Sequence, residues 1–370
     1  MSKGILLGIP INGNSFDETL SSFENIIKTN KSNKKSSYIA TVNTDFVVNT
    51  LYASYKKIKN INLLKTLIHA EWVTADGMPI VWAIRGLGFP IKERVTGADL
   101  FKPLLNLAEA KKWKIYFLGG KESEAKLAIE KIRNEFPKLK IVGSNYPMIQ
   151  SIDSNEEIDF EIIKDINLKK PDILFLSFGN PKQEIWYYRN RSNISIPFVM
   201  GIGGTLNFYL GKIQRAPRWM QISGLEWVYR LKEEPIRLFK RYLIDALLFS
   251  IMFIPLLVYY QFLFLVNAIN KNGNKKLLQA NKMLSEIKDS NHFSLEDWKS
   301  EDDLIKTLNK MKLKPDKGKI ILNLNGIKAC NHEDIYKILI LKKECSKKNI
   351  SIKIISNRLI KLQLYLQRII

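Results

Sequence analysis

The chain has 370 residues, 46% of them hydrophobic and 25% charged, with 58 Lys+Arg against 36 Asp+Glu. That much apolar material fills at least two cores and excludes disorder as the default state. The net charge of +22 calls for an anionic partner: nucleic acid, acidic lipid or a phosphorylated substrate. Cys330 and Cys345 form neither a CxxC metal signature nor a disulfide framework, which fits a reducing compartment.

Taken in chain order, the opening MSKGILLGIPINGNSF has no long apolar run and no small-residue cleavage pattern, so residues 4–8 are predicted as a first strand rather than a signal peptide. From there to about residue 205, short β-rich runs alternate with amphipathic stretches of helical period. That pattern predicts an α/β fold, a doubly wound parallel sheet covered by helices. The strands are expected over 4–8, 38–42, 72–75, 114–118, 140–142, 172–178 and 197–201. Ser15 and Glu18 have capping-box spacing before a helix through Ile27, and the run NKSNKKSS at 30–37 is expected as an exposed loop. Thr96 is expected to cap a helix reaching Trp113.

Residues 246–270 carry no charge across 25 positions, long enough for a membrane span. Pro255 follows the first nine of them, so the stretch is expected to bend there into a monotopic, re-entrant or in-plane anchor, with Tyr259 and Tyr260 near the membrane interface. Beyond it, residues 271–370 hold 22 Lys+Arg against 11 Asp+Glu. A strand at 318–324, a helix at 332–348, a strand at 350–355 and a helix at 358–370 predict a small second α/β domain. The organisation expected is an α/β domain over 1–205, a basic helical appendage over 206–245, an apolar membrane-anchoring segment over 246–270 and the small domain over 271–370.

Several polar motifs fall where strands end, the place where open α/β sheets bind ligands. Asp76, between a strand and Gly77-Met78-Pro79, is held where it could take a proton from a hydroxyl; a helix cap is the commoner use of such an aspartate. Thr41 and Asn43 offer a hydroxyl and an amide, though both residue types also cap helices. Gly119-Gly120 and Gly203-Gly204 leave backbone N–H groups open to a phosphate, yet neither stretch is GxGxxG or a Walker motif. Gln183 lies on the first turn after Pro181. The run from Lys212 to Arg241 interleaves basic residues with Trp219, Trp227, Tyr229 and Phe239, suiting either a diphosphate or an anionic membrane surface.

Residues 1–245 resemble the WecG/TagA/CpsF glycosyltransferases of bacterial surface-polymer synthesis. The similarity rests on ADGMPIVWAIRGLG, ERVTGADL, GNPKQEIW and GGTLNFYLGKIQRAPRWMQISGLEWVYRLKEEPIRLFKR, in that order. The resemblance implies a metal-independent, inverting transfer of N-acetylmannosamine or its uronic acid from a UDP donor, with no cofactor, to GlcNAc on a polyprenyl diphosphate. By motif, Asp76 would be the general base. Thr41, Asn43, Arg94, Thr96, Gly119, Gly120 and Gln183 would bind substrate. Arg230 and Arg237, seven apart and so two turns along one helical face, would act on the departing UDP. The family's third basic position falls on Lys240, with Arg241 adjacent, and Val42 and Thr44 stand where family members often have proline. The C-terminal segment around Lys319–Ala329 and Ile350–Ser356 resembles a STAS domain, a small interaction fold.

The charge concentrates beside an uncharged stretch, so an anionic membrane surface is the expected partner and nucleic acid is not. The expected place is the cytoplasmic face of the membrane, peripheral or monotopic, where UDP-sugars are found, with a homo-oligomer left open. A dehydrogenase lacks its GxGxxG after the first strand. The alternative is a membrane-tethered, STAS-type interaction protein with an inactive transferase domain, against which the intact Asp76, Arg94 and Gln183 weigh.

Overall fold

The computed structural model describes residues 3–54, 57–147, 156–269, 292–293, 319–324, 330–348 and 350–369. Its centre is a parallel six-stranded sheet of order β4-β3-β8-β7-β5-β6. The strands are β3 (Ser37–Val42), β4 (Trp72–Ala75), β5 (Lys114–Leu118), β6 (Lys140–Asn145), β7 (Ile173–Leu176) and β8 (Phe198–Gly201). β3, β4, β7 and β8 are buried along their whole length, as expected where helices cover both faces of a parallel sheet. One layer of the core joins Phe23, Trp72, Phe101, Phe117, Phe175 and Phe198, with edge-on aromatic pairs such as Phe101–Phe175 at 5.2 Å.

The helices that cover the sheet begin where the sequence signals them. α1 (Phe16–Asn33) opens on the Ser15/Glu18 capping box. It runs past Ile27 because Asn30 is buried, its amide donating to Ser37 Oγ and to Pro197 O at 2.8 Å each. The exposed connection expected over 30–37 therefore shrinks to a few residues. After α2 (Thr44–Thr50), α3 (Ile61–His69) and α4 (Met78–Gly86), Thr96 caps α5 (Gly97–Ala110), its side chain accepting from Asp99 N–H. α6 (Glu122–Glu135), α7 (Glu156–Lys169), α8 (Lys182–Asn190) and α9 (Thr205–Leu210) complete the wrapping, and α10 (Arg218–Ile222) and α11 (Glu226–Glu233) follow.

The predicted first strand forms, as β1 (Lys3–Leu6), but stays out of the main sheet. It pairs only with β2 (Ile9–Asn12). Leu7 and Gly8 between them both have positive φ, 51° and 82°, the backbone of a tight hairpin turn, which returns the chain before it can run on to a crossover helix.

The chain divides into two compact units: residues 11–85 with 90–250, and residues 1–10, 86–89 and 251–370. The second contains a parallel sheet β11-β10-β9, with β9 (His292–Phe293), β10 (Lys319–Asn323) and β11 (Ser351–Ile355), and helices α13 (His332–Lys347) and α14 (Arg358–Leu366). Its core is apolar, with Ile320, Leu322, Ile335, Ile338 and Leu364 buried, and encloses a hydrogen-bonded polar cluster. Ile5 N–H donates to His332 Nδ1 at 2.8 Å, which leaves the proton on Nε2, 3.1 Å from Leu87 O. Gln363 and Gln367 both donate to Tyr260 Oη at 3.2 Å.

α12 (Pro235–Ile269) is one continuous helix of 35 residues with Pro255 inside it. The helix is continuous through Pro255, about 52 Å of contour at ~1.5 Å per residue. Residues 238–265 are apolar enough to cross a membrane, yet 28% of the most apolar window is buried by protein. The burial is one-sided. Met252, Leu256, Tyr259, Tyr260 and Leu263 are enclosed, whereas Leu243, Leu247, Ile251, Ile254, Val258, Phe262 and Leu265 are exposed. Tyr259 and Tyr260 therefore face protein, not a membrane interface, and Tyr259 Oη donates to Leu359 O at 2.9 Å.

Candidate active site

Asp76 stands just beyond β4, where its N–H donates to Val42 O at 2.8 Å. Its carboxylate does not cap α4. Instead Oδ2 accepts from the N–H of Gly97, in the first turn of α5, at 3.3 Å. Burial pushes the carboxyl up to about 7; the Gly97 hydrogen bond and the charges of Arg94 and Arg215 act against it, and Glu226 acts with it. A carboxylate that is half protonated near neutrality and keeps some exposure is fitted to accept a proton. Thr41 lies alongside: a Cβ on Gly97 would come 3.2 Å from Thr41 Oγ1. Asn43 caps α2, its Oδ1 accepting from Phe46 N–H at 3.3 Å, and a Cβ on Gly77 would lie 3.7 Å from its Cβ.

Next to Asp76 sits a ring of charges that the sequence does not announce. Arg94 donates through Nη1 to Glu226 Oε2 at 2.6 Å and through Nη2 to Gln221 Oε1 at 3.4 Å. Arg215 donates to Asp99 Oδ1 at 2.8 Å and to the same Gln221 oxygen at 3.3 Å. Thr96 Oγ1 donates to Asp99 Oδ2 at 2.8 Å. The residues from α10, α11 and the loop before them thus reach the ERVTGADL motif and enclose Arg94 to 13% side-chain exposure. Gly224, between α10 and α11, has φ +77°, and a Cβ there would fall 2.7 Å from the Trp82 ring; only glycine allows the turn to settle on α4.

The second cluster lies at the ends of β5, β7 and β8. A cavity of ≈ 320 Å³ is lined there by Gly120, Lys121, Ser177, Phe178, Gly203 and Asn207, among others. Gly119 has φ +93°, and a Cβ on it would strike the Phe178 ring at 2.5 Å. Gln183 does not open onto this space. It is 3% exposed, with Nε2 donating to Glu184 Oε1 at 2.8 Å and Oε1 accepting from Gly203 N–H at 3.1 Å. Glu184, fully buried, also accepts from Tyr38 Oη at 2.7 Å and Asn180 Nδ2 at 3.2 Å; burial pushes its carboxyl up to about 7.

Arg230 and Arg237 do not share a helix face. α11 ends at Glu233, Glu234 leaves helical geometry, and Pro235 starts α12, because proline suits a first helical position and cannot continue the preceding helix. The Arg230 guanidinium lies 5.2 Å from the Phe208 ring centroid, and its Nε is enclosed without a hydrogen-bond partner among the described residues. The Arg237 side chain falls outside the described residues. Lys240 is exposed on α12. The residues missed by sequence reasoning are Glu226, Gln221 and Glu184. Glu226 carries one signal in the chain, an acid at the start of the motif EWVYR inside a basic run. Among the described residues no group of three or more His, Cys, Asp or Glu side chains could hold a metal ion.

A family model described as "Glycosyl transferase WecG/TagA/CpsF family" matches residues 5–259. Three relatives carry the name N-acetylglucosaminyldiphosphoundecaprenol N-acetyl-beta-D-mannosaminyltransferase. The one from Bacillus spizizenii is 28% identical over 230 residues, 62% of this chain and 84% of the relative. The one from Bacillus subtilis is 30% identical over 199 residues, 54% and 72%, and that from Staphylococcus aureus is 29% identical over 247 residues, 63% and 91%.

Proposed function

The chain belongs to the WecG/TagA/CpsF family of glycosyl transferases, and we propose that it moves N-acetylmannosamine, or its uronic acid, from a UDP donor to a GlcNAc unit carried on a polyprenyl diphosphate. It is a glycosyltransferase; donor, stereochemistry and site roles are the proposal. The observation that carries it is Asp76, a carboxyl raised to about 7 at the sheet's carboxyl edge, beside converging arginines. In the step proposed, the acceptor hydroxyl gives its proton to Asp76 while its oxygen bonds to the anomeric carbon from the face opposite the leaving group. The bond from that carbon to the UDP oxygen breaks, and UDP departs with the electron pair, inverting the centre. Thr41 and Asn43 line the acceptor side, the Gly119–Gly120 turn and the cavity beside it take the nucleotide, and Arg94 with Arg230 and Arg237 offset the growing negative charge. No metal is assigned a role. Incubating the purified chain with UDP-N-acetylmannosamine, its uronic acid and UDP-GlcNAc against a lipid-diphosphate GlcNAc acceptor tests this. Transfer of the mannosamine sugars alone supports the proposal, and transfer of none of them sinks it.

The place of action follows from α12. We propose that it lies in the plane of the cytoplasmic leaflet, with the exposed stripe from Leu243 to Leu265 in the acyl region and Lys240, exposed on the same helix, at anionic headgroups. A straight span is disfavoured because the opposite face is covered by chain that carries Gln363 and Gln367, which would have to enter hydrocarbon with it. Replacing Ile254 and Val258 with Glu should lower the vesicle-bound fraction roughly tenfold or more at about 20% anionic lipid, given a cost of about 1 kcal/mol or more per charge placed in the acyl boundary. Flotation measures it, and undiminished binding by the folded variant would rule the stripe out. The STAS-like role of residues 319–369 stays a proposal too: their parallel β-α-β-α order is compatible with an interaction domain.

A further inference from the structure

We propose that Glu226 is an internal stand-in for a substrate diphosphate: its carboxylate holds the paired guanidiniums of Arg94 and Arg215 beside Asp76, and an incoming diphosphate displaces it. The inference rests on the transferase function proposed above and adds residues which that function leaves unused.

Two guanidiniums converge here at some electrostatic cost. Arg94 and Arg215 both donate to one oxygen, Gln221 Oε1, at 3.4 and 3.3 Å. Like charges that close are held only because carboxylates face them: Glu226 lies 2.6 Å from Arg94 Nη1 and 3.7 Å from Arg215 Nε, and Asp99 lies 2.8 Å from Arg215 and 4.0 Å from Arg94. The two acids are not equivalent. Asp99 is fastened by Thr96, whose Oγ1 donates to it and whose helix cap it completes, so it belongs to the frame of α5. Glu226 rests on the two arginines. It stands in the first turn of α11, and its carboxylate hydrogen-bonds Arg94 while lying within ion-pair distance of Arg215, between two side chains of the kind that take phosphate oxygens. A diphosphate carries more charge than one carboxylate and offers more acceptor oxygens, so it competes for the same donors with the advantage. A second observation points to an anion at this place. Phe208 is flanked by Arg215 at 5.7 Å and Arg230 at 5.2 Å from its ring centroid, and Arg230 Nε is enclosed without a hydrogen-bond partner among the described residues. An enclosed donor with nothing to bond is costly unless a ligand oxygen satisfies it.

The exchange also acts on the base. The charged groups facing Asp76 are Arg94, Arg215 and Glu226, with the Gly97 N–H at the start of α5. Glu226 is the one anion among them, so it opposes ionisation of Asp76.

The test is Glu226→Gln, with Glu226→Asp as the second variant, which keeps the charge but withdraws it by a methylene. Calorimetry with UDP, and separately with farnesyl diphosphate as a prenyl diphosphate lacking sugar and nucleotide, distinguishes donor from acceptor diphosphate. Expected for Glu226→Gln is roughly three- to tenfold tighter binding of one of the two probes, a smaller gain for Glu226→Asp, and an acid limb of the pH–rate profile displaced to lower pH. Tighter UDP assigns the site to the donor, and tighter farnesyl diphosphate to the acceptor. Unchanged or weaker binding of both probes by either folded variant overturns the proposal and leaves Glu226 as an ionic strut. Since binding is read without turnover, a failure of the transferase reading itself would appear instead as wild-type protein that binds UDP and transfers no sugar.

Discussion

Asp76 and Glu184 lie at the same carboxyl edge of one sheet, and burial raises both carboxyls to about 7, but their surroundings differ in kind. Glu184 has no exposure and takes hydrogen bonds from Tyr38, Gln183 and Asn180. Those three donors come from β3, from α8 itself and from the turn before α8, so the carboxylate ties neighbouring elements together. Asp76 accepts from the Gly97 backbone, keeps some exposure, and has a ring of charged side chains as neighbours. A raised pKa by itself therefore marks burial, not function. What separates a base from a strut is lone pairs left uncommitted and a path for the proton.

The sharpest way to break this contrast is Asp76→Asn. Its transfer rate should fall by roughly two to four orders of magnitude, the usual loss for a general base, with an unchanged thermal midpoint. A variant within a few-fold of wild type would mean that Asp76 only anchors α5. Glu184→Ala should do the reverse. It strands the buried donors of Tyr38 and Gln183, each costing about 1–3 kcal/mol when left unpaired, and frees the half-buried Asn180 amide, so its urea midpoint should drop while folded molecules still bind UDP. Abolished transfer at unchanged stability would exchange the two roles.

The pH dependences sharpen the comparison with smaller effects. The base must be ionised, so transfer should rise with pH and level off above about 7. For stability the sign is opposite. The folded pKa of Glu184 lies above its unfolded value, so the native state holds the proton more tightly, and the stabilisation present below pH ~4.5 is lost as pH rises towards about 7. A tenfold difference in proton affinity between the folded and unfolded chain corresponds to about 1.4 kcal/mol, which sets the scale of the fall. Glu184→Gln cannot ionise and should flatten that fall in a urea titration at stepped pH; an unchanged slope would show that Glu184 does not titrate in this range.

Much of this is legible in the chain. Five strands, expected over 38–42, 72–75, 114–118, 172–178 and 197–201, form within a few residues of those bounds, because buried parallel strands are short β-branched or aromatic runs ended by glycine or polar turns. The caps of α1 and α5 are legible for the same local reason. The uses of Asn43 and Gln183 are not. Asn43 spends its oxygen on a helix cap and Gln183 is turned inward onto Glu184 and Gly203, and spacing alone does not tell a side chain's direction.

The sequence by itself determined the alternation of strands and helices, the polar strand ends and the uncharged run at 246–270, since each follows from neighbours within a few residues of one another. Only the tertiary structure decided what those pieces do together. β1 leaves the main sheet because the Leu7-Gly8 turn folds it back on β2. Arg230 and Arg237 part because Pro235 starts a new helix. α12 continues through Pro255 with one face buried, since packing along Met252, Leu256, Tyr259 and Leu263 outweighs the one hydrogen bond that proline removes. The ring of Arg94, Arg215, Asp99 and Glu226 depends on contacts more than a hundred residues apart, which only the folded chain brings within reach.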